Sequence, residues 1–394
     1  MTIALPKGFR LATINAGFRQ TVRPDIALAV SDVPAVTAAL FTQAAFVAAP
    51  VIVAREMMRS NRPMRAVLIN TGQANACTGD QGIANCRETL RLTAMACDLS
   101  PAEILPASTG VIGAQMKMDC WKKAVPELAG QLGSASVEDF ADAIRTTDAF
   151  PKFSGAEVVT SAGVITLAGV AKGAGMICPN MATMICVVLC DAAVPQDLWQ
   201  SMFREAVDRT FNRVTVDGDT STNDTVYGLA NGASGVAPDA HDLPLLKEAL
   251  EKILGDLAYM LVQDGEGATK VMRIAVTGAQ DEADAEKVAR TVGHSQLVKT
   301  AMYGKDANWG RIVAAVGRSG AVFQARDVRV TLCGVELFRN EQPADADFDT
   351  LLKEPLQGRD IAIDISLGTG PGEYTLLASD LTHKYVDINA DYRS

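Results

Sequence analysis

Residues 184–190 form an uninterrupted apolar run, Met-Ile-Cys-Val-Val-Leu-Cys, directly after a loop rich in glycine and proline. The run contains several β-branched side chains and ends at Asp191, so it predicts a strand that is buried on both faces. Thr183 lies at the point where the loop becomes this strand. Its hydroxyl is therefore expected to be held rigidly.

Short β-rich runs alternate with amphipathic stretches along the chain, which predicts an α/β or α+β fold. The predicted strands are Ala27–Val30, Val51–Ala54, Ala66–Asn70, Gly163–Val170, Met184–Cys190, Val271–Thr277, Val328–Cys333, Asp360–Ser366 and Glu373–Ala378. The predicted helices are Ile83–Cys97, Lys117–Ala129, Val137–Arg145, Gln196–Arg209, Leu243–Leu261 and Phe348–Leu356. Residues 231–242 carry Gly, Ser, Pro and Asp and predict a loop.

Composition restricts the possible partners. The chain has 394 residues and is 48% hydrophobic, so it can bury a large core in two or three lobes. Its net charge of −10 opposes a broad phosphate-binding surface, and nucleic acid is not an expected partner. No apolar stretch approaches the ~18 residues of a membrane helix, and the first residues lack the apolar core of a signal peptide. We expect no membrane association and a cytoplasmic location.

Cysteines and histidines do not indicate a metal site. The eight cysteines show no C-x-x-C pair and predict buried, reduced thiols. The three histidines, at positions 241, 294 and 383, have no metal-ligand spacing with one another or with a cysteine. Catalysis is therefore expected to work without histidine, with an amine or a carboxylate as the base.

Two kinds of loop resemble cofactor or ion sites only superficially. The glycines around Lys172 and those at 368–372 do not follow the spacing of nucleotide-binding loops. The acidic segment 217–224 has Thr222 where a calcium loop requires glycine. We therefore expect no bound cofactor, and interpret segment 217–224 as a loop whose polar side chains bond backbone amides.

Thr183 has two interpretations. Threonine commonly begins strands because its β-branched side chain suits the pleat. Alternatively, Thr183 is a nucleophile, and a hydroxyl needs an adjacent base to act as one. If the chain breaks between Ala182 and Thr183, the new α-amino group supplies that base, with a reference pKa of about 7.7 to 8.0. Gly173, Gly175 and Pro179 permit a strained approach to that peptide.

The segment Lys172-Gly-Ala-Gly-Met-Ile-Cys-Pro-Asn-Met-Ala-Thr183-Met resembles the self-cleaving ornithine acetyltransferases, which are glutamate N-acetyltransferases of arginine synthesis. The resemblance extends over nearly the whole chain. Further matching segments, in the same order, are 70–79, 106–113, 146–148, 216–224, 264–270, 308–311 and 388–394. Seven further matches in one order are far more specific than any one of them.

The resemblance implies a four-layer αββα sandwich, shared with aminopeptidase relatives. It implies cleavage into segments 1–182 and 183–394 that share one core, and an (αβ)₂ assembly of the processed pairs. It also implies transfer of acetyl from N-acetylornithine to glutamate, with ornithine as the first product and an acetyl-Thr183 intermediate. Acetyl-CoA stays open as an alternative donor.

Several residues acquire expected roles. The Thr109 hydroxyl and Gly110 amide follow a strand-like segment and have the chemistry of an oxyanion hole, although Ser-Thr-Gly alone predicts only a turn. The resemblance assigns the oxyanion hole to this pair. It implies that Lys172 binds a substrate carboxylate and that Glu266 contacts the substrate α-amino group. Both side chains are ordinarily solvated in loops. The remaining positions implied to contact substrate are Thr146, Thr147, Asn389 and Ser394.

The chain departs from the family pattern in three places, and each departure concerns the substrate side chain more than the chemistry. Ala44 and Ala45 replace an Asn and a basic residue, Ala307 replaces a proline, and Leu377 begins a run that replaces a Trp-Gly-Cys-containing one. Two alternatives therefore remain. One is an amidase or aminopeptidase on the same scaffold, and the other is a small-molecule binder that keeps the chain whole.

Overall fold

A computed structural model describes residues 3–19, 22–60, 62–178 and 184–391. Ala182, Thr183 and Ser394, three of the residues nominated from the sequence, lie outside the described residues. The chain forms two compact units. The first unit contains mainly residues 1–212 and 219–261, and the second contains residues 213–218 and 262–392.

Strands and helices alternate along the chain. The strands are β1 (Phe9–Ile14), β2 (Ile26–Phe41), β3 (Met64–Asn70), β4 (Ile104–Ser108), β5 (Lys152–Thr160), β6 (Gly163–Lys172), β7 (Ile185–Cys190), β8 (Val214–Thr215), β9 (Thr225–Ala230), β10 (Val271–Ala279), β11 (Arg329–Leu332), β12 (Val335–Arg339), β13 (Gln342–Pro343), β14 (Asp360–Ser366) and β15 (Gly372–Ser379). The helices are α1 (Ala49–Met58), α2 (Gly79–Cys97), α3 (Met118–Gly130), α4 (Val137–Ile144), α5 (Gln196–Arg209), α6 (Asp242–Gln263), α7 (Glu282–Gly293), α8 (Gln296–Tyr303), α9 (Trp309–Gly317), α10 (Phe348–Leu352) and α11 (His383–Asp391).

One long strand links two halves of the sheet in the first unit. The strand order is β4-β3-β2-β9-β7-β6-β5, with β1 paired to β2. Residues 26–30 of β2 pair with β3, whereas residues 36–41 pair with β9. Because the strand changes partners along its length, β1, β3 and β4 form one half with its first part. β5, β6, β7 and β9 form the other half with its last part.

The two halves pack face to face. One buried cluster contains Leu105 and Leu11 from the β1–β4 half together with Val187 and Leu189 from the half that contains β7. Across the same interface, the buried Tyr227 hydroxyl of β9 donates a hydrogen bond to the Pro106 carbonyl of β4 over 2.8 Å. A buried phenol with a satisfied hydroxyl is a stable way to join two apolar faces.

Helices cover both outer faces. Helices α2 and α3 pack on the β1–β4 half through residues such as Leu90 and Trp121. On the other outer face, a Cβ on Gly169 would lie 2.6 Å from Ile253 of α6, and one on Gly228 would lie 2.4 Å from Phe203 of α5. These glycines allow the helices to approach the strands closely. The first unit is thus an αββα sandwich, which confirms the predicted fold class.

The second unit has its own sheet, in the order β13-β12-β11-β14-β10-β15-β8. Helix α7 packs on β10 and β15, and a continuous apolar cluster joins Ile274, Val288, Leu376 and residues of α8 and α9. A Cβ on Gly293 would lie 2.6 Å from Leu376, which again marks a close helix–strand contact. This unit therefore has an independent core.

The predicted elements agree with the structure at most positions. Strand β14 and helix α5 have the predicted bounds, and residues 185–190 of the apolar run form β7, with all six buried. The strand prediction for Val51–Ala54 was wrong, because these residues lie in α1, where Pro50 occupies the first turn and the apolar side chains share the buried face. Residues 231–241 connect β9 to α6 without a helix or strand, as predicted.

The junction expected to be cleaved lies within the first unit. Strand β6 precedes it and β7 follows it, and the two pair from Leu167 opposite Cys190 to Lys172 opposite Ile185. Strands on either side of Ala182 therefore belong to one sheet. The compact units divide elsewhere, near residues 212–219 and 261–262.

Within the described ranges, no helix has both the length and the apolar character needed to cross a bilayer.

Candidate active site

Four strands of the first unit reach a common edge at one row of paired residues. Lys172 of β6 is opposite Ile185 of β7, Ile185 is opposite Thr225 of β9, and Thr225 is opposite Phe41 of β2. Strands β7 and β9 begin at this edge, whereas β6 and β2 end there. The loops 173–178, 219–224 and 42–48 therefore leave the sheet at the edge where β7 begins. In the sequence, Thr183 comes two residues before Ile185.

Lys172 contacts the turn that follows β4. Its Nζ lies 3.3 Å from the Thr109 Oγ1, to which it donates a hydrogen bond. The Thr109 backbone amide donates to the Asn70 carbonyl over 3.0 Å, and Thr109 is 8% exposed. The structure thus brings together two residues that were nominated separately from the sequence, a proposed carboxylate ligand and a proposed oxyanion donor.

Gly110 has a conformation that only glycine adopts readily. Its φ is 129°, and a Cβ there would lie 2.4 Å from the Gly72 carbonyl carbon. Its amide has no hydrogen-bond acceptor among the residues that the structure describes. A backbone donor beside a threonine hydroxyl, with no partner in the described chain, has the geometry expected for binding an oxyanion.

Asp148 organises the backbone on which Lys172 lies. Its Oδ1 accepts hydrogen bonds from the Lys152 Nζ at 2.7 Å and from the Gly173 amide at 2.6 Å. Its Oδ2 accepts one from the Thr146 amide at 2.8 Å. The side chains of Asp148 and Lys152 are fully buried. This carboxylate therefore fixes the first residue of the loop that leads from Lys172 towards Thr183.

The charges of this group affect one another. Burial opposes ionisation of Asp148, but Lys152, Lys172 and the Gly173 amide outweigh it and hold the pKa of Asp148 well below its usual range. Burial lowers the pKa of Lys172, and Asp148 and Asp224 partly offset that effect while Lys152 and Arg19 add to it. Asp148 therefore remains an anion that favours the charged form of Lys172.

The two threonines before Asp148 differ. The Thr146 hydroxyl lies 3.4 Å from the Asp148 Oδ2, so it belongs to the buried carboxylate's hydrogen-bond set. The Thr147 side chain is partly exposed and has no hydrogen-bond partner within the described part of the chain. Of the two, Thr147 is the one with a hydroxyl available to a ligand.

Glu266 and Asn389 meet within the second unit. The Asn389 Nδ2 donates to the Glu266 Oε2 over 2.8 Å and to the Tyr385 carbonyl over 3.0 Å. Glu266 is 8% exposed. A nearly buried carboxylate with a neutral amide partner offers a negative charge to a cationic ligand.

Helix α11 packs directly on the turn that carries Glu266. A Cβ on Gly267 would lie 2.8 Å from both the Lys384 Cβ and the Tyr385 amide, and the Thr382 hydroxyl donates to the Gly267 carbonyl over 2.8 Å. The C-terminal helix therefore contacts this turn through Lys384, Tyr385 and Asn389. Ser394, also nominated, lies beyond the described residues.

Asp148 and Lys152 were missed from the sequence as members of the site. The segment Thr146-Thr-Asp148 was noted, but only its threonines were nominated. Their spacing in the sequence could have indicated an ion pair, because Asp148 precedes Lys152, the first residue of β5, by four positions. The link of this pair to Lys172 and Gly173 is visible only once β5 and β6 are placed side by side.

Among the residues that the structure describes, one group of side chains could hold a metal ion. The ligand atoms of Asp239, His241 and Asp242 lie within 4.8 Å of one another near the start of α6. The Asp239 Oδ1 accepts hydrogen bonds from the backbone amides of His241 and Asp242 at 2.8 and 2.9 Å. These bonds give Asp239 a role in the helix start that needs no ion.

The αββα sandwich, in which the Lys172 ammonium contacts the Thr109 hydroxyl beside the Gly110 amide, has donors suited to acyl transfer. A family model described as the ArgJ family matches residues 10–394. The chain belongs to the ArgJ family.

Relatives match over the full length. The chain is 68% identical over 391 residues to the arginine biosynthesis bifunctional protein ArgJ of Nitratidesulfovibrio vulgaris, covering 99% of this chain and 100% of that protein. It is 44% identical to the ArgJ protein of Geobacter sulfurreducens, with 98% and 99% of the two chains covered. A crystal structure of the Bacillus halodurans ArgJ protein is 36% identical and has a TM-score of 0.49, covering 51% of this chain and 96% of that chain.

Proposed function

We propose that the protein is a glutamate N-acetyltransferase of arginine synthesis, which transfers acetyl from N-acetylornithine to glutamate. Membership of the ArgJ family and the 68% identical relative named as an arginine biosynthesis bifunctional protein support this function. The observation that carries the chemistry is the contact of Lys172 with Thr109, beside the Gly110 amide. Lys172 lies at the sheet edge where β7 begins, and β7 starts two residues after Thr183.

The reaction proceeds in two half-reactions. The Thr183 Oγ attacks the acetyl carbonyl of N-acetylornithine, and the α-amino group of Thr183 takes the hydroxyl proton. The tetrahedral anion collapses, the C–N bond breaks, and ornithine leaves with that proton, so an acetyl ester of Thr183 remains. The glutamate amine then attacks the ester, and N-acetylglutamate leaves as the Thr183 hydroxyl is restored. Ping-pong kinetics follow.

The Lys172 contact prepares Thr109 to stabilise both tetrahedral anions. Because the Lys172 ammonium donates to the Thr109 Oγ1, it occupies a lone pair of that oxygen. The hydroxyl hydrogen is then directed elsewhere, and the positive charge makes it a stronger donor. Together with the Gly110 amide, it forms a pair of donors for the developing oxyanion. Asp148 holds the adjacent Gly173 amide and favours the charged lysine.

Two charged side chains are assigned to substrate binding in this proposal. Glu266 suits the free amino group of glutamate or ornithine, and Asn389 holds the Glu266 carboxylate in place through its 2.8 Å hydrogen bond. Lys172 also suits a substrate carboxylate, and the Thr147 hydroxyl is available for a further contact. Ser394 completes this set in our proposal.

Self-cleavage before Thr183 generates the base. It yields segments of 182 and 212 residues, which stay associated because β6 on one side of the junction pairs with β7 on the other. We extend the proposal to an (αβ)₂ assembly and to a cytoplasmic location. No cofactor is required by this mechanism, and acetyl-CoA is an alternative acetyl donor to be tested alongside N-acetylornithine.

Intact-mass spectrometry of the purified chain beside Thr183→Ala is the first test. The expected result is two fragments that divide between Ala182 and Thr183 in the wild type, and one whole chain in the variant. Incubation of the processed protein with N-acetylornithine labelled in the acetyl group should then add one acetyl to the fragment that begins with Thr183. Addition of glutamate should move the label to N-acetylglutamate.

The alternatives give different products. Release of labelled acetate without transfer to glutamate identifies an amidase on the same scaffold. A wild-type chain that remains whole and binds N-acetylornithine without acetylation identifies a binding protein. Label transfer from acetyl-CoA to glutamate shows that the second donor is also used.

A further inference from the structure

The Asn223 side chain joins two loops that surround the proposed oxyanion donors. Its Nδ2 donates to the Ser108 carbonyl over 2.8 Å and to the Ala74 carbonyl over 2.6 Å. Asn223 is 6% exposed. Both N–H groups of the amide are thus used on backbone carbonyls, one of them in the residue directly before Thr109.

Other buried bonds complete the frame around this turn. The Ser108 hydroxyl donates to the Asn70 Oδ1 over 2.6 Å, and the Thr109 amide donates to the Asn70 carbonyl over 3.0 Å. The Ala74 amide donates to the Val111 carbonyl over 3.0 Å. The turn is therefore held by β3 and the 71–78 loop, and Asn223 ties both to the loop before β9.

Asn223 is itself fixed to the sheet edge where β7 begins. Its backbone carbonyl accepts a hydrogen bond from the Thr225 hydroxyl over 2.9 Å, and its Oδ1 accepts one from the Thr222 hydroxyl over 2.6 Å. The Thr225 amide donates to the Met184 carbonyl over 2.9 Å. Met184 directly follows Thr183 in the chain. A short series of hydrogen bonds thus connects the residue after the proposed nucleophile to residues 108–111. We call these residues the donor turn, because they carry the Thr109 hydroxyl and the Gly110 amide.

We propose that Asn223 is a positioning residue for acetyl transfer, which sets the Thr109 hydroxyl and Gly110 amide at a fixed place relative to the start of β7. This inference rests on the function proposed above. Acyl transfer depends steeply on the separation between nucleophile and oxyanion donors, because donors stabilise the transition state only when they meet the oxyanion at hydrogen-bond distance. Asn223 acts on the reaction through Ser108 and does not touch the substrate.

The variant Asn223→Asp tests this role with almost no change in shape. It replaces the Nδ2 donor by an oxygen that faces two carbonyl oxygens. The control is Asn231→Asp, another buried asparagine of the first unit. The Asn231 Nδ2 donates to the Lys7 carbonyl and the Ser31 Oγ at 3.0 and 3.1 Å, and its Oδ1 accepts a hydrogen bond from the Ala233 amide at 3.0 Å. Both variants lose similar hydrogen bonds, but only the Asn223 side chain contacts the turn that carries Thr109 and Gly110.

The experiment measures the rate at which N-acetylornithine acetylates the enzyme and the rate at which glutamate removes the acetyl group. Each rate is divided by the amount of cleaved chain, which intact-mass spectrometry determines. Asn223→Asp should lower both rates by a similar factor, about 100-fold, since the same donors serve both oxyanions. The KM for each substrate should stay within about threefold, since no substrate contact changes. Asn231→Asp should retain wild-type rates even if its melting temperature falls.

The inference is overturned if Asn223→Asp has the same rates as the wild type. It is also overturned if only one of the two half-reactions slows, or if Asn231→Asp slows both to the same extent. If the Asn223→Asp chain is not cleaved, its acetylation rate does not test the inference, and amide hydrogen exchange is measured instead. Faster exchange at residues 108–111 than in uncleaved Thr183→Ala supports the inference, and unchanged exchange refutes it. A wild type that forms no acetyl-enzyme refutes the proposed function instead, and is recognised before any variant is compared.

Discussion

Asp148 and Lys152 form an ion pair that is fully excluded from solvent, with 2.7 Å between the Asp148 Oδ1 and the Lys152 Nζ. Burying two charges is costly, and such a pair is retained only when its remaining hydrogen-bonding capacity is also satisfied. Here the Gly173 amide and the amide and hydroxyl of Thr146 are the further donors to the carboxylate. The pair therefore joins the entry of β5 to the loop that follows Lys172.

Replacing Asp148 by Asn should destabilise the protein strongly, because it removes the negative charge that the buried Lys152 ammonium contacts at 2.7 Å. We expect a loss of about 3 to 5 kcal/mol in the free energy of unfolding, measured by chemical denaturation. The control is Asp32→Asn, whose partner Arg10 is half exposed and whose loss should cost no more than about 1 kcal/mol. Similar losses in both variants would contradict a special role for the buried pair.

Gly110→Ala should abolish most of the acetyl transfer. The added Cβ would meet the Gly72 carbonyl carbon at 2.4 Å, so the turn and its donors must shift. We expect kcat to fall by at least about 100-fold, as when an oxyanion donor is lost. Gly113→Ala is the matched control, since Gly113 also has a positive φ, of 86°, but a Cβ added there would have no atom within 4 Å. Equal losses of kcat in the two variants would point to backbone strain as the cause.

Hydrophobic periodicity predicted about half of the strands and helices, whereas the αββα sandwich was implied by the family resemblance. The sequence signals for β7 and α5 are strong. Every side chain of β7 is buried, and the apolar side chains of α5 recur every three or four residues on its buried face. Residues 51–54 misled the prediction because four apolar residues suit a strand or a helix equally well. Only the packing of α1 decides between the two, and packing is a property of the folded chain.

The sequence could nominate residues that match a family motif, but not residues that act through others. Thr109, Gly110, Lys172 and Glu266 were nominated through the family resemblance, which implies uses in acyl transfer for their hydroxyl, amide, ammonium and carboxylate groups. Asn223 has no such use, and its two hydrogen bonds reach residues 115 and 149 positions away in the sequence. No local pattern encodes contacts of that range.

Glu266→Gln should weaken substrate binding without unfolding the protein. The variant keeps an oxygen to accept the Asn389 hydrogen bond but removes the charge offered to the substrate ammonium. A charged hydrogen bond contributes about 1.5 to 3 kcal/mol, so the KM for glutamate, whose α-amino group is free, should rise about 10-fold or more. The KM for the N-acetylated donor should rise less, because its α-nitrogen is an uncharged amide. The check is steady-state kinetics with a melting curve. An unchanged KM would exclude Glu266 from substrate binding, and Asn389→Ala should show whether the amide acts through the same contact.

Lys299 of α8 should make the stability of the second unit depend on pH. Its Nζ donates to the Val216 carbonyl over 2.7 Å and also to the carbonyl and hydroxyl of Ser379. Burial lowers the pKa of Lys299 to about 8, and Asp217 and Asp380 only partly offset that effect. The unfolded chain therefore holds this proton more tightly than the folded chain.

The sign of the effect follows from that difference. Below the folded pKa both states are protonated and the cost of burying the charge is present in full. As pH rises from about 8 towards about 10.4, the folded state loses its proton first, so the free energy of unfolding gains up to about 3 kcal/mol from this group. Lys299→Met lacks this gain, so its deficit relative to the wild type should grow between pH 7 and pH 10, as measured by urea denaturation at each pH. Lys287→Met is the control, because Lys287 is half exposed on α7 and its pKa is raised by Asp284. A deficit for Lys299→Met that stays constant over this range would show that Lys299 titrates alike in both states.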